Sequence, residues 1–323
     1  MIYLYLFILS FCLTYIIKKI ALKKSLLAIP NGRSSHSTPT PHGGGVAIVI
    51  TWFLGIIYLF ICKEIEPQLF LALIVGVILS FVGFVDDLYE LCAKKRLLTQ
   101  AFVGMLGLYL LGGLSKIDIG FFVIENQIVT NGLAFLGIMW FINLYNFLDG
   151  IDGYAGSEAV FLGIAGWFLF GGNYFLVLVV CVLGFLVWNW HKAKIFMGDV
   201  GSTLLGYNVA IFALYTQNNG TSILVWLILF GLFWFDATLT LFRRYKNGEK
   251  LSMAHKKHAY QRLTQRGWSH EKVVVYSICL NMILAILGYI AFVFQGLAVV
   301  CFMVAVALLY GVIKWIDTKK RFE

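Results

Sequence analysis

The chain has 323 residues, of which 60% are hydrophobic and only 13% are charged. In a water-soluble globular protein about half of the residues are apolar and about a quarter are charged, so this chain is too apolar for that class. The mean hydropathy of +0.86 supports the same exclusion. The six cysteines form no CxxC pair and most lie in apolar segments, so we expect neither a disulfide framework nor a zinc site.

Apolar segments of about 17–22 residues, the length that crosses about 30 Å of hydrocarbon, recur along the whole chain. They predict an all-α polytopic membrane protein with about eleven transmembrane helices, a single integral-membrane domain over residues 1–323 and an active site in cytoplasmic loops. The first segment lacks a basic start and a small-residue cleavage site, which favours a retained helix over a signal peptide. The predicted spans are 2–17, 43–62, 69–85, 97–114, 132–148, 154–170, 174–190, 202–215, 223–242, 273–294 and 297–313.

The distribution of basic residues predicts the orientation in the bilayer. If the N-terminus lies outside, five polar segments share one side and carry 23 of the 25 Lys and Arg; they are residues 18–42, 86–96, 191–200, 243–272 and 314–323. The positive-inside rule assigns that side, and the C-terminus, to the cytoplasm. The net charge of +9 then reflects topology and contact with anionic lipid, so no nucleic-acid partner is expected.

Two groups of polar side chains lie where predicted spans end on the cytoplasmic side. Asp86 and Asp87 are adjacent, and paired carboxylates suit Mg²⁺ or proton handling, although a solvated helix end would look the same. The second group repeats every three residues and continues into a glycine-flanked turn. Buried amides and acids in a membrane helix are costly and usually functional, whereas the alternative is a polar helix stop. Its members are Asn143, Asn146, Asp149 and Asp152.

Three further motifs lie in predicted cytoplasmic loops. Asp199 stands between two glycines just before a span, in a loop with Lys192 and Lys194; a helix N-terminus there suits phosphate, and an ordinary basic loop is the alternative. His255 and His258 lie in the long basic loop and favour a phosphate clamp over a zinc site or a solvated face. Residues 31–45 form a loop rich in Pro and Gly that suits anion binding or a structural turn.

These motifs converge on one membrane face and predict Mg²⁺-assisted phosphoryl transfer to or from a lipid, with acids holding the metal and cationic and backbone donors holding a diphosphate. Two other classes of protein share some of the features. A secondary transporter would place its charges at mid-membrane rather than at one face. A Mg²⁺-dependent prenyltransferase would use two acidic motifs but would leave the Asp199 and histidine loops unexplained.

The same motifs occur in order in a known family. They are Pro-Thr-Pro-x-Gly-Gly at 39–44, Asp-Asp at 86–87, Asn-x-x-Asn-x-x-Asp-Gly-x-Asp-Gly at 143–153, Phe-Met-Gly-Asp-Val-Gly-Ser at 196–202 and the histidine loop at 255–258. On them the chain resembles the bacterial polyprenyl-phosphate N-acetylhexosamine-1-phosphate transferases of the MraY and WecA type. The peptidoglycan branch has three successive histidines where this chain has His-Lys-Lys-His, which resembles the O-antigen-initiating branch instead.

The resemblance implies an enzyme of the bacterial inner membrane that depends on Mg²⁺, or on Mn²⁺ in its place. It implies undecaprenyl phosphate as the acceptor, a UDP-N-acetylhexosamine as the donor, UMP as the released product and a possible homodimer. The sugar would be N-acetylglucosamine or a 6-deoxy N-acetylhexosamine, and the product would start a cell-surface polysaccharide such as O-antigen.

The resemblance also assigns roles to individual residues. The implied metal ligands are Asp199 and Asp152, and the implied catalytic groups are Asp86, Asp87, Asp149, Asp152, His255 and His258. The implied substrate-binding residues are Asn143, Asn146, Asn189, Phe196, His42, Gly43, Gly44 and Lys194. A phosphate monoester has a second pKa of about 6, so we expect Asp86 to organise the site rather than remove a proton. His270 is expected to be a solvated loop residue outside the site.

Overall fold

The computed structural model describes residues 1–30, 35–36, 38–119, 122–251, 253 and 255–322. The protein is predominantly helical in these ranges, and its strands are only two residues long, which confirms the predicted all-α class. The helices are α1 (Ile2–Lys23), α2 (Gly45–Ile61), α3 (Pro67–Ile74), α4 (Gly76–Tyr89), α5 (Ala93–Leu110), α6 (Gln127–Leu148), α7 (Tyr154–Phe170), α8 (Asn173–Asn189), α9 (Asp199–Asn218), α10 (Ile223–Leu229), α11 (Gly231–Lys246), α12 (Ala259–Gln265), α13 (His270–Val293) and α14 (Ala298–Lys319).

Several helices have the length and composition of membrane spans. Within the described residues, five are long and apolar enough to cross a bilayer, and a sixth is added if α10 and α11, bent by 81°, form one span. Helices α2, α7 and α8 are apolar but shorter. Each of the eleven predicted segments overlaps a helix or a pair of consecutive helices. The chain is therefore a polytopic helical membrane protein, and the count of eleven crossings stays a prediction.

Helix α9 forms the centre of the helix packing. Most of its residues from 200 to 217 are buried, and it packs against α2, α4 and α6. Glycines let these backbones come close: a Cβ built on Gly45 would lie 2.6 Å from the Gly201 nitrogen, and one on Gly83 would lie 2.8 Å from the carbonyl carbon of Asp199. Because no side chain fits there, the first turn of α9 lies directly against α2 and α4.

Two short antiparallel pairings lie at the ends of the helices. Strand β1 (Leu27–Ala28) pairs with β2 (Thr40–Pro41), so the chain returns to the start of α2. Strands β3 (Ile117–Asp118) and β4 (Val123–Ile124) form the second antiparallel pair, between α5 and α6. The predicted anion-binding loop at 31–45 is only partly described, because residues 31–34 and 37 lie outside the described ranges.

The start of α2 is fastened to the loop that precedes α9. The Phe196 N–H donates to the Pro41 carbonyl (2.8 Å), and the N–H groups of Gly44 and Gly45 donate to the carbonyls of Phe196 and Met197 (2.9 and 2.8 Å). This backbone ladder places the Pro-Thr-Pro loop beside Asp199 even though the two segments are more than 150 residues apart in the chain.

The orientation of the chain in the membrane is tested by reporter fusions. A fusion after Gly220, in the exposed turn that follows α9, is expected to report the outside, and a fusion at the C-terminus is expected to report the cytoplasm. An alkaline phosphatase and a fluorescent protein, each active on one side only, measure the two positions independently. A cytoplasmic signal at Gly220 would contradict the orientation that the basic residues predict.

Candidate active site

Two adjoining cavities open at the ends of the central helices. The first has a volume of about 1040 Å³ and a polar wall. Of the residues implied by the resemblance it brings together His42, Asp86, Asp87, Asn146, Asp149, Asp152, Asn189, Phe196 and Asp199. The second has a volume of about 700 Å³, is mostly apolar and contains Asn143, His255 and His258. The two cavities share Asp86, Arg96, Asn146, Asp199 and Gln261, which we call the junction.

The side chains of the junction belong mostly to helix termini, and at Asp199 the helix begins at a residue that was predicted to lie in the loop before it. Asp86 lies in the last turn of α4, Asn146 in the last turn of α6 and Asp199 at the first position of α9. A helix can carry such groups at its end because the preceding apolar turns remain in the hydrocarbon while the polar end reaches water. The site is therefore held by rigid elements.

Arg96 joins two of the acids at the junction. One guanidinium nitrogen, Nη1, lies 2.9 Å from Asp86 Oδ2 and 3.2 Å from Asp199 Oδ2, and the side chain is still 41% exposed. Asn146 donates to Asp199 Oδ1 (2.7 Å) and to the Ser202 hydroxyl (2.9 Å). A cation bridging two carboxylates shows that this position has the electrostatic potential to hold a positive ion.

Asp86 is committed to holding the turn between α4 and α5. Its Oδ1 accepts from the Leu91 N–H (2.6 Å), while its Oδ2 accepts from Arg96. The turn passes through Glu90 with φ of 48°, a left-handed conformation that a residue other than glycine adopts only when its surroundings fix it. Both oxygens of Asp86 are engaged in these contacts, and its expected role as an organiser of the site stays a prediction.

Asp87 holds the N-terminus of α9, and its expected catalytic role stays a prediction. Its two oxygens accept from the N–H groups of Asp199 (3.0 Å) and Val200 (3.4 Å), so it caps the N-terminus of α9 from a neighbouring helix. A carboxylate is favoured there because the free N–H groups and the helix dipole attract negative charge. Asp87 therefore acts on Asp199, whose backbone it fixes.

Asp149 follows the last residue of α6 and lines the polar cavity. Burial, together with the negative charges of Asp199 and Asp87, raises the pKa of its carboxyl to about 7. A group of acids that repel one another favours a bound divalent cation, which would remove that repulsion.

The donor set at the junction fits Mg²⁺. The junction carboxylates of Asp86 and Asp199, the amide oxygen of Asn146 and the carboxylate of Asp149, which lines the polar cavity beside the junction, are hard oxygen ligands. A second group, Asp152 with His191 and His270, has ligand atoms within 4.8 Å of one another, but two imidazole nitrogens suit zinc better than Mg²⁺. The expected role of Asp152 as a Mg²⁺ ligand stays a prediction.

The expectation for His270 is wrong. His270 is not in a loop but is the first residue of α13, only 13% of its side chain is exposed, and its Nδ1 lies 3.2 Å from Asp152 Oδ2. The same oxygen lies 3.3 Å from His191 Nδ1 and accepts from the Ala193 N–H (3.1 Å). Burial alone would raise the pKa of Asp152, but the hydrogen bonds from His270, Ala193 and His191 outweigh it and hold the pKa below its usual value.

Other expected substrate residues have mixed positions. Asn189 accepts from the Gly153 N–H and donates to the Ile195 carbonyl, both at 3.0 Å, so its amide ties two walls of the polar cavity together. Phe196 lines that cavity with the His36 ring 4.9 Å from it. Burial lowers the pKa of His42, which keeps this lining group neutral.

Three residues that were expected to bind substrate have other contacts or roles in the structure. Gly44 donates its N–H to Phe196 and so has no backbone proton left for an anion. Gly43 adopts φ of +88°, which glycine reaches without strain, so its part in the turn is structural. Lys194 is exposed, with its ammonium 5.5 Å from the centre of the Trp188 ring, and it is absent from the described walls of both cavities.

The histidine loop forms the rim of the apolar cavity. His258 is buried at the start of α12, where Asp236 accepts the Ala259 N–H through both oxygens at 2.9 Å. The rings of His255 and His258 lie 4.8 Å apart. Burial, followed by the charge of His258, lowers the pKa of His255 to about 4. Both imidazoles line the apolar cavity, and Asn143, which donates to Gln100 at 2.8 Å, lines the same cavity.

Sequence reasoning missed Arg96, Gln261, His191 and His270. Arg96 belongs to the basic run 94–96, which the orientation alone explained, so no further signal pointed to it. His191 lies within the Asp199 motif and could have been included. His270 is 118 residues from Asp152, and only the fold brings them together.

Comparison with known proteins identifies the family. Residues 69–217 match the model of glycosyl transferase family 4. A probable undecaprenyl-phosphate N-acetylglucosaminyl 1-phosphate transferase of Bacillus subtilis (strain 168) is 33% identical over 293 residues, which cover 85% of this chain and 79% of that protein. The chain belongs to glycosyl transferase family 4.

Two further relatives carry different sugars in their names. An undecaprenyl-phosphate alpha-N-acetylglucosaminyl 1-phosphate transferase of Yersinia pestis is 27% identical, over 95% of this chain and 89% of that protein. A phospho-N-acetylmuramoyl-pentapeptide-transferase of Shouchella clausii is 30% identical, over 80% of this chain and 85% of that protein. The family model covers Asp86, Asn146 and Asp199 and ends before the histidine loop.

Proposed function

We propose that the protein transfers N-acetylhexosamine 1-phosphate from a UDP-sugar to undecaprenyl phosphate, giving a lipid diphosphate sugar and UMP. The observation that carries this proposal is the junction, where a polar cavity and an apolar cavity meet at Asp86, Arg96, Asn146 and Asp199. A reaction between a water-soluble and a lipid-soluble substrate needs this arrangement of cavities.

The apolar cavity suits the acceptor. Leu79, Leu97, Leu136, Met139 and Trp140 are among its walls, and an isoprenoid chain gains free energy by leaving water for such a surface. A phosphate at the head of that chain would reach the junction, where Arg96 offers a charged donor that is partly exposed. Guanidinium groups bind phosphate oxygens through paired charge-assisted hydrogen bonds.

The polar cavity suits the nucleotide donor. Its volume of about 1040 Å³ lies at the upper end of the usual range for ligand pockets. Phe196 presents an aromatic face on which a uracil ring would stack. The acids and Asn146 lie between that face and the apolar cavity, which is where the diphosphate of a bound UDP-sugar would meet the acceptor.

The reaction needs no net proton transfer. An oxygen of the dianionic acceptor phosphate forms a bond to the sugar-bearing phosphorus, and the bond from that phosphorus to the bridging oxygen breaks, so UMP leaves with the electron pair. Because the acceptor has a second pKa of about 6, it is already deprotonated near pH 7. Asp86 therefore needs no general-base role, which agrees with the engagement of both its oxygens.

A Mg²⁺ ion would be held by Asp199 and its neighbours Asp86, Asp149 and Asn146, and when bound it would supply charge neutralisation for the phosphates. The chain itself contributes alignment: Asp87 fixes the first turn of α9, Asn146 orients the Asp199 carboxylate and Arg96 binds phosphate oxygens. Alignment and preorganised charge are the main sources of rate gain in phosphoryl transfer.

The sugar that we propose is N-acetylglucosamine or a 6-deoxy N-acetylhexosamine, and the product would start O-antigen or a similar polysaccharide at the cytoplasmic face of the bacterial inner membrane. Support comes from the His-Lys-Lys-His loop and from the names of the relatives in Bacillus subtilis and Yersinia pestis. The homodimer that the resemblance implies stays a prediction.

The proposal is tested by incubating the purified protein with undecaprenyl phosphate, Mg²⁺ and a panel of UDP-sugars that includes UDP-N-acetylmuramoyl-pentapeptide. UMP and a lipid diphosphate sugar are expected in equal amounts with a UDP-N-acetylhexosamine. Release of UDP alone would mean transfer of the sugar without its phosphate and would overturn the mechanism. Turnover of the muramoyl-pentapeptide donor alone would overturn the assignment of the sugar.

A further inference from the structure

His270 connects three separate segments of the protein at the wall of the polar cavity. It begins α13, its Nδ1 lies 3.2 Å from Asp152 Oδ2, and its Nε2 lies 3.1 Å from the carbonyl oxygen of Ser35. The Asp152 turn, the loop before β2 and the start of α13 therefore meet at one imidazole. Only 13% of the His270 side chain is exposed, so these contacts are sheltered from bulk water.

The contacts around Asp152 are arranged asymmetrically. Oδ2 accepts from the Ala193 N–H (3.1 Å) and lies near His270 Nδ1 (3.2 Å) and His191 Nδ1 (3.3 Å), while the Asp152 N–H donates to the same His270 nitrogen (3.3 Å). Asp152 also lines the polar cavity. His270 therefore contacts both the backbone and the carboxylate of Asp152, and together with Ala193 it fixes the direction in which the other carboxylate oxygen points.

We infer that His270 is a positioning residue for donor binding, acting through Asp152. The inference rests on the proposed function, because it takes the polar cavity as the donor site. His270 orients the Asp152 carboxylate toward the cavity, where its second oxygen accepts a hydrogen bond from the UDP-sugar. The link to Ser35 holds the imidazole plane in the orientation that this requires. His270 makes no contribution to the reacting phosphates, so its loss weakens donor binding and leaves the turnover number nearly unchanged.

A matched pair of substitutions separates the two contacts of His270. In His270→Asn the side-chain amide takes the place of Nδ1 and its oxygen can accept from the Asp152 N–H, so the contact with Asp152 is kept and the contact with Ser35 is lost. In His270→Gln the amide nitrogen takes the place of Nε2, so the contact with Ser35 is kept and the contact with Asp152 is lost. His270→Ala removes both, and Glu271→Gln, at the next and exposed position of α13, is the control.

The experiment measures KM for the UDP-sugar, KM for undecaprenyl phosphate and kcat for each variant, with thermal unfolding in detergent as a check of folding. His270→Gln and His270→Ala are expected to raise the donor KM about tenfold, the effect of losing one hydrogen bond to a charged group. His270→Asn and Glu271→Gln are expected to stay within about threefold of the wild type. Acceptor KM and kcat are expected to change by less than about threefold in all four.

Two results would overturn the inference: a donor KM in His270→Asn as high as in His270→Ala, or a fall in kcat with unchanged donor KM. A stoichiometric transition metal in the purified wild type that His270→Ala loses would also overturn it, since Asp152, His191 and His270 would then be metal ligands. Failure of the proposed function is distinguishable, because the wild type itself would release no UMP from any UDP-sugar.

Discussion

Replacing Asp199 with asparagine is expected to lower the turnover number by about 10²–10³-fold, the usual cost of removing one preorganised charge from a reaction centre. The amide keeps the size of the side chain and can still meet Asn146, but it carries no charge toward a metal ion. We expect no neighbouring side chain to replace Asp199, because Asp87 fixes the Asp199 backbone, and Asn146 and Arg96 fix its carboxylate. The concentration of Mg²⁺ needed for half-maximal rate is expected to rise.

The measurement is the initial rate of UMP release against Mg²⁺ concentration for purified wild type and Asp199→Asn, with monodispersity checked in detergent. Glu125→Gln removes the same charge from an exposed residue before α6 and is expected to behave as the wild type. Near-normal activity of a folded Asp199→Asn protein at low Mg²⁺ would show that the metal assignment is wrong, and Asp149 or Asp152 would become the candidate.

Replacing Arg96 with methionine is expected to raise the KM for undecaprenyl phosphate and to lower the rate at limiting acceptor by about 10–10²-fold, because a charge-assisted phosphate contact is lost. The Mg²⁺ concentration needed for half-maximal rate is expected to change in the direction opposite to that in Asp199→Asn. Arg96 now neutralises Asp86 and Asp199, at 2.9 and 3.2 Å, and its removal leaves two carboxylates that attract a divalent ion more strongly. Half-maximal rate should therefore need less Mg²⁺.

The same titrations of Mg²⁺ and acceptor measure this variant, and Arg96→Lys serves as the control that keeps the charge. Lysine is expected to recover only part of the acceptor affinity. It keeps the positive charge but lacks the second nitrogen through which arginine binds a phosphate. If Arg96→Met needed a higher Mg²⁺ concentration for half-maximal rate than the wild type, the guanidinium and the metal would not compete for the carboxylates of Asp86 and Asp199.

The helices and most of the site were predictable from the sequence for one physical reason: polar groups are costly in hydrocarbon, so the few that interrupt apolar segments carry the function. Asp86, Asn146 and Asp199 were found in this way. The different contacts of Asp86 and Asp87 were not predictable from the sequence. Adjacent residues on a helix point in different directions, and only the packing of α4 against α9 decides which of the two side chains caps α9.

Long-range contacts set the remaining limit. His270 meets Asp152 through the packing of α13 near α7, a relation that no local spacing expresses. Lys194 shows the opposite error: a lysine five residues before Asp199 suggested phosphate binding, but its ammonium lies over Trp188 instead. Charge and spacing predict which segments meet, whereas the angle of each side chain about its helix depends on the tertiary packing.

Among the described residues, the two cavities share only those of the junction, so the proposed donor and acceptor need not compete for the same space. Both substrates can then be bound at once, and the sugar phosphate can pass directly between them without being stored on a side chain. Such an enzyme follows ternary-complex kinetics. Reciprocal plots of rate against donor concentration, at several fixed acceptor concentrations, intersect rather than run parallel. Labelled UMP does not exchange into the UDP-sugar unless lipid is present. A single inhibitor that spans the junction, with a nucleoside at one end and an isoprenoid at the other, would occupy both cavities and gain the affinity of two linked ligands.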